Sequence, residues 1–177
     1  MPVMRLTRAL VLVLAAASAG ACTDPLPCGT TQTSAALPGV SIAVSTDTCT
    51  FAAGAAGTFT YVTTIKDPLT FTTAPHAGCT PTTSDPASFI VTEVLGTNAR
   101  YCPTCDVGTC PEDPGEDITI PAGTYMGQLN WPGRQWDGPS DTGKQLGPAF
   151  PPGSYTVHVQ FTIPAGVIDA KLPITVQ

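Results

Sequence analysis

The clearest signal in the chain is a strict alternation of apolar and polar residues in its C-terminal part. From Ser154 to Ile163, one face collects Tyr155, Val157, Val159, Phe161 and Ile163, and the other collects Ser154, Thr156, His158, Gln160 and Thr162. A period of two residues indicates a β-strand with one buried face and one solvated face. The segment therefore predicts a strand at the surface of a layered β-protein.

Short segments of the same kind recur along the chain, and clusters of Gly and Pro separate them. Residues 88–95 are apolar on both faces, which predicts a central strand. Regularly spaced short strands are typical of an antiparallel sandwich. We therefore predict an all-β, antiparallel, immunoglobulin-like β-sandwich over residues 38–177, with strands near 40–45, 58–65, 69–72, 88–95, 98–102, 118–120, 124–131, 154–163 and 172–176.

The N-terminus has the features of an export signal. Arg5 and Arg8 precede an apolar run over residues 9–17, which is too short to remain as a membrane-spanning helix. The small residues Ala19-Gly20-Ala21 before Cys22 resemble the bacterial lipobox. The resemblance implies cleavage before Cys22 and its acylation by several chains, which anchor stably where a single chain does not. Ordinary secretion, with Cys22 free or paired, is the alternative.

We accordingly predict a lipoprotein signal peptide over residues 1–21 and a lipidated tether over residues 22–37, which are polar and rich in Pro. Thr23 is not an inner-membrane retention residue in the sorting code of bacterial lipoproteins, so the resemblance implies the outer membrane. The chain has 7 basic and 13 acidic residues, for a net charge of −6. This balance argues against a nucleic-acid partner and leaves the lipid as the expected contact with the membrane.

The cysteines predict disulfide staples. Six remain after Cys22, and an even number in an exported chain indicates three bridges. We expect Cys28 to pair with Cys49 and the other four to pair among themselves within one large loop. A zinc or redox site at Cys102-Pro103-Thr104-Cys105 is a less favoured alternative, because thiols pair first in an oxidising compartment. The six cysteines are Cys28, Cys49, Cys79, Cys102, Cys105 and Cys110.

No catalytic constellation emerges from the pattern. The two histidines, His76 and His158, are isolated, and no serine lies in a nucleophile-elbow context. His158 falls on the polar face of its strand and is predicted to face solvent. The acidic residues around Pro114-Gly115 do not match the spacing of an EF-hand, so we interpret them as a solvated loop. We expect no enzyme activity, no cofactor and no resident metal.

The late part of the chain resembles two known families. The motifs that carry the resemblance are Trp131-Pro132-Gly133, Asp141-Thr142-Gly143-Lys144 and Pro152-Gly153-Ser154-Tyr155. They are similar to the immunoglobulin-like module of the flagellar hook-capping protein and of many bacterial surface proteins. They also resemble the BsuPI-type proteinase-inhibitor domain. Both resemblances imply a β-sandwich, and the second implies inhibition through a loop such as 132–150.

Two aromatic residues in the long connection after Trp131 are candidate binding anchors. Trp136 and Phe150 would contact a partner if they are exposed on a loop that a rigid sandwich supports. The alternative is that they cover a sheet edge or the open end of the core. The combined prediction is a non-catalytic, lipid-anchored binding or assembly module at the bacterial envelope with an unknown protein or envelope partner. A BsuPI-like proteinase inhibitor and a metal-binding protein that uses the cysteine loop are the alternatives.

Overall fold

The computed structural model describes residues 28–33, 35–73, 84–104, 115–136 and 145–177. Within these ranges the chain forms eleven strands and one 3₁₀ helix, and no helix there is long and apolar enough to cross a membrane. In chain order the elements are β1 Cys28–Thr33, β2 Val40–Thr46, β3 Thr50–Phe51, β4 Gly57–Ile65, β5 Leu69–Thr72, the 3₁₀ helix Pro86–Phe89, β6 Ile90–Leu95, β7 Arg100–Tyr101, β8 Asp117–Ile120, β9 Gly123–Trp131, β10 Gly153–Ile163 and β11 Gly166–Val176.

Two sheets pack face to face. Sheet A has the strand order β1-β2-β4-β9, and sheet B has the order β3-β11-β10-β6-β7. A two-stranded ribbon of β5 and β8 accompanies them. All pairs are antiparallel except the parallel pair of β3 and β11. The predicted all-β antiparallel sandwich is confirmed.

The core lies between the two sheets and follows the predicted alternation. In β10 the buried positions are the five apolar residues from Tyr155 to Ile163, and their polar neighbours are on the outer face. β11 alternates in the same way from Ile168 to Val176. A cluster of rings made by Phe51, Phe59, Trp131 and Phe150 fills one end, with edge-on contacts between Phe51 and Trp131 and between Trp131 and Phe150.

The strand connectivity is immunoglobulin-like. β4 and β9 pair within one sheet, whereas β6, β10 and β11 pair in the other, as strands B and E and strands C, F and G do in that fold. The tyrosine corner of the fold is also present, because the Tyr155 hydroxyl donates a hydrogen bond to the carbonyl oxygen of Pro151 at 2.8 Å. This bond fixes the path of the chain into β10.

A second corner of the same sequence precedes β9. Both strands begin with Pro-x-Gly-x-Tyr, at residues 121–125 and 151–155. The Tyr125 hydroxyl donates to the carbonyl oxygen of Pro121 at 2.7 Å, again four residues upstream. The repeat is visible in the sequence, but the alternation of apolar and polar residues does not reveal it.

Two sequence-based boundaries are wrong. Residues 28–33, which were assigned to the tether, form β1 and pair with β2, and Leu37 is buried in the core. β1 escaped prediction because its residues are polar and mostly exposed at a sheet edge, so no apolar face marks it. Residues 88 and 89, which were predicted to begin a strand, belong to the 3₁₀ helix, and the strand begins only at Ile90. The Asp85 carboxylate caps this helix by accepting a hydrogen bond from the Ala87 amide.

The expected pairing of Cys28 with Cys49 is confirmed. The bridge joins β1 to the segment that precedes β3. Cys102 is also disulfide-bonded and is buried. The predicted signal peptide, Cys22, Cys79, Cys105 and Cys110 lie outside the described residues.

Candidate functional site

A cleft of about 500 Å³ opens between the turn that joins β6 to β7 and the connection that follows β9. Gly96–Arg100 form one wall. The connection supplies Gln135, Trp136, Gln145, Gly147 and Pro148 as the other wall. The lining therefore combines one aromatic ring, several amide side chains and one guanidinium group.

The described ends of the connection, residues 132–136 and 145–152, form one wall because they bond to each other. The Gln135 amide donates to the carbonyl oxygen of Pro148 at 2.9 Å, and the Gly147 amide donates to that of Gln135 at 2.8 Å. The Phe150 amide donates to Gly133 at 3.0 Å. Gly133 has φ of +70°, and a Cβ there would lie 2.4 Å from the Ala55 carbonyl oxygen, so the position requires glycine.

Trp136 is bound to the edge of sheet B and also lines the cleft. Its amide donates to Arg100 at 2.8 Å, and its carbonyl oxygen accepts from Cys102 at 2.9 Å, which extends the sheet beyond β7. Its ring packs on Tyr101 with centroids 6.1 Å apart. Its Nε1 is buried without a hydrogen-bond partner among the described residues. Trp136 thus covers a sheet edge with its backbone and presents a half-buried ring to the cleft.

Phe150 belongs to the core, so it is not the exposed loop residue that the binding-anchor hypothesis required, and the alternative given for it above holds. It is fully buried, and its ring contacts Trp131 and Tyr155 with centroids 4.9 Å away in each case. The hydrogen bond from the Phe150 amide to the Gly133 carbonyl oxygen holds the backbone so that the ring lies at the end of the core. Its exposure could not be judged from the sequence, because a single aromatic residue in a loop has no periodic context.

A second pocket of about 390 Å³ lies around Tyr101 and Leu146, next to Trp131 and Pro132. The Leu146 side chain is 41 % exposed, and the Tyr101 hydroxyl donates to the carbonyl oxygen of Asn130 at 3.2 Å. Burial raises the pKa of Tyr101.

A ladder of charged side chains crosses the outer face of sheet B. The Glu93 carboxylate accepts hydrogen bonds from Arg100 Nε at 2.9 Å and Nη2 at 2.8 Å, and its other oxygen lies 2.8 Å from His158 Nδ1. His158 Nε2 is 3.5 Å from Asp169, which also pairs with Lys171 at 2.8 Å. His158 lies on the predicted face, but its side chain is only 14 % exposed, so the prediction that it faces solvent is wrong.

The ladder holds its carboxylates in the charged form. Burial alone would raise the pKa of Glu93, but hydrogen bonds from His158 and Arg100 outweigh burial and lower it. The pKa of Asp169 is lowered chiefly by the hydrogen bond from Lys171. Cations thus neutralise both carboxylates, and the ladder joins four strands, β7, β6, β10 and β11. The network therefore links these strands across the outer face of sheet B.

No group of three or more His, Cys, Asp and Glu residues within the described ranges is arranged to hold a metal ion. His76 and the acidic residues Glu112 and Asp113 lie outside those ranges. Cys102 is in a disulfide, so it is not available as a thiolate ligand for zinc. This pairing removes one member of the metal-ligand set considered for the cysteine loop.

The fold and the cleft together define the class as an immunoglobulin-like β-sandwich with a surface cleft beside its sheet edge. No protein-family model and no curated protein matches the chain.

Proposed function

We propose that the protein is a non-catalytic binding module that is exported, anchored through acylated Cys22 and displayed at the bacterial envelope, on the outer membrane. The disulfides at Cys28–Cys49 and Cys102 support export, because such bridges persist in oxidising compartments. The lipobox-like sequence before Cys22 supports the anchor. The sandwich supplies a stable framework for surface loops, which is a common arrangement in binding proteins.

The observation that carries the proposal is the cleft beside Trp136. The Trp136 ring packs against Tyr101 at a tilt, and two hydrogen bonds hold the Trp136 backbone, so little conformational entropy is lost when a partner binds. The amide groups of Gln135 and Gln145 offer both donors and acceptors. A cleft of this kind suits a segment of a partner that carries amide or hydroxyl groups beside an apolar group.

Affinity capture from envelope extract tests this proposal with variants of the full chain. Trp136→Ala removes the ring, and Gln145→Ala changes the same wall of the cleft without altering the contact between Trp136 and Tyr101. Lys66→Ala is the matched control, because this exposed residue follows the end of β4 remote from the cleft. We expect the first two variants to lose the captured partner at least tenfold and the control to retain it.

Thermal melting of each variant separates loss of binding from loss of folding. The cleft would be excluded as the binding site if both variants, Trp136→Ala and Gln145→Ala, melted close to the wild type and still recovered the same partners in the same amounts.

A further inference from the structure

Among the described residues, β9 is an edge strand of sheet A. The alternation of hydrogen-bonded pairs in the sheet shows which of its residues direct their backbone groups outward. The Lys66 amide donates to the carbonyl oxygen of Gly39 at 3.0 Å, which makes this a hydrogen-bonded pair. Hydrogen-bonded and non-bonded pairs alternate in an antiparallel sheet, so the even-numbered residues of β4 bond to β2. The odd-numbered residues of β4 therefore bond to β9, and the even-numbered residues of β9 direct their backbone groups away from the sheet.

An independent contact agrees with this phase. The Tyr101 hydroxyl reaches the carbonyl oxygen of Asn130 at 3.2 Å from outside sheet A. The outward carbonyl oxygen of Asn130, at one end of β9, therefore already has a hydrogen-bond partner. The outward backbone groups of Thr124, Met126 and Gln128 are left without a partner strand among the described residues.

The outward side chains of β9 and of the neighbouring strand β4 carry no charge, although the whole chain has a net charge of −6. On β9 the outward face is Thr124, Met126, Gln128 and Asn130, and the neighbouring strand β4 adds only Thr and Val. Met126 is 74 % exposed. Edge strands that must stay unpaired usually carry Lys, Pro or a bulge, and β9 contains neither Lys nor Pro.

We propose that β9 pairs antiparallel with β9 of a second copy of this chain, about a two-fold axis at Met126. Thr124 would then lie opposite Gln128 of the second copy, and Met126 would lie opposite its own counterpart. Three outward residues in each strand give about six new backbone hydrogen bonds, because each hydrogen-bonded pair exchanges two. The four strands of sheet A in each copy would join into one continuous sheet.

A second copy fits this edge better than a charged partner for two reasons. The arrangement is self-complementary, because the Thr–Gln pairs on either side of the axis are equivalent by symmetry. The acidic residues that would repel another copy are absent from the outward faces of β9 and β4, so like charges do not meet there. The inference is independent of the binding cleft, which is built by the β6–β7 turn and the later connection.

Cysteine cross-linking in the full, exported chain tests the pairing. Opposed residues in a hydrogen-bonded pair have Cα atoms about 5.5 Å apart, which a disulfide can bridge. Met126→Cys is therefore expected to give a reducible species of twice the chain mass on a non-reducing gel. Thr31→Cys is the matched control, because Thr31 is exposed on the other edge strand, β1. It is expected to give at least tenfold less.

A charge variant gives a second readout without a new thiol. Met126→Lys would place two like charges opposite each other, whereas Met126→Leu keeps the edge apolar. Because Met126 is exposed, neither change should lower the melting temperature by more than about 1 °C. Co-purification of two differently tagged full-length copies should fall at least tenfold for Met126→Lys and persist for Met126→Leu.

The pairing would be overturned if Met126→Cys and Thr31→Cys cross-linked equally, or if Met126→Cys became linked to a different protein. Unchanged co-purification of Met126→Lys would overturn it as well. A negative result would not bear on the proposed binding cleft, because neither Met126 nor Thr31 lines it.

Discussion

The two Pro-x-Gly-x-Tyr corners allow one hydrogen bond to be compared in two environments within a single protein. Tyr155→Phe and Tyr125→Phe each remove one hydroxyl that donates to a proline carbonyl oxygen four residues upstream, at 2.8 and 2.7 Å. The local sequence and geometry are matched. The Tyr155 side chain, however, is 7 % exposed and packs against Phe150, whereas the hydrogen bond of Tyr125 is exposed to solvent.

We expect the two losses to differ because water can replace only the exposed bond. A partly buried hydrogen bond contributes about 1 to 1.5 kcal/mol to the free energy of unfolding, so Tyr155→Phe should lower it by that amount. An exposed substitution changes the same quantity by about 0.5 kcal/mol or less, which is the expectation for Tyr125→Phe. For a domain of this size, the melting temperature should fall by about 3–5 °C for Tyr155→Phe and by about 1 °C for Tyr125→Phe.

Urea unfolding followed by far-ultraviolet circular dichroism and by Trp fluorescence measures both free energies under the same conditions. The slope against urea should be unchanged in both variants, because neither alters the surface exposed on unfolding. Equal losses for the two variants would refute the reasoning from burial. An unchanged midpoint for Tyr155→Phe would show that this corner does not stabilise the sandwich.

Two further predictions follow from the described residues. Gly133→Ala should lower the free energy of unfolding by about 3 kcal/mol or more, because the cost of positive φ adds to that of a backbone clash. Gly54→Ala, with φ of +76° but only an ordinary contact of 3.7 Å with the Ala149 Cβ, should lower it by only about 1–2 kcal/mol. Equal urea midpoints would contradict this. Glu93→Gln should lower the same free energy by about 2 kcal/mol at neutral pH. Because the folded pKa of Glu93 lies below its ordinary value of 4.5, its carboxylate stabilises the fold above that pH, and the contribution is lost as pH falls through the folded pKa. The gap between wild type and variant in a urea titration should therefore close in acid, and a constant gap would contradict it.

Elements with a buried face were predictable, and elements without one were not. β10 and β11 alternate along their whole length because one face meets the core, so a period of two identifies them. β5 was predicted with its observed bounds. β1 was missed because an exposed edge strand rich in Thr has no apolar residues to alternate. The 3₁₀ helix was missed because four residues are too few to show any period.

The candidate site was only partly predictable for a related reason. The sequence identified Trp136 as a residue of interest, but its pairing with β7 and its ring contact with Tyr101 depend on a contact across the fold. Phe150 had the same local features and proved to be core. The distinction rests on the hydrogen bonds between the two ends of the connection, and residues that far apart in the chain carry no joint signal in one sequence.

By itself, the sequence determined the fold class and the main strands, since solvation acts on each residue locally and leaves a periodic record in the chain. The Cys28–Cys49 pairing was an expectation that only the structure decided, because sequence does not select one connectivity among six cysteines. Only the tertiary structure decided which strands became edges, where the charged ladder with Glu93 and His158 formed, and which loop aromatic entered the core. Those outcomes depend on register between distant segments. Register is set by the simultaneous packing of both sheets, and no local pattern of residues encodes it.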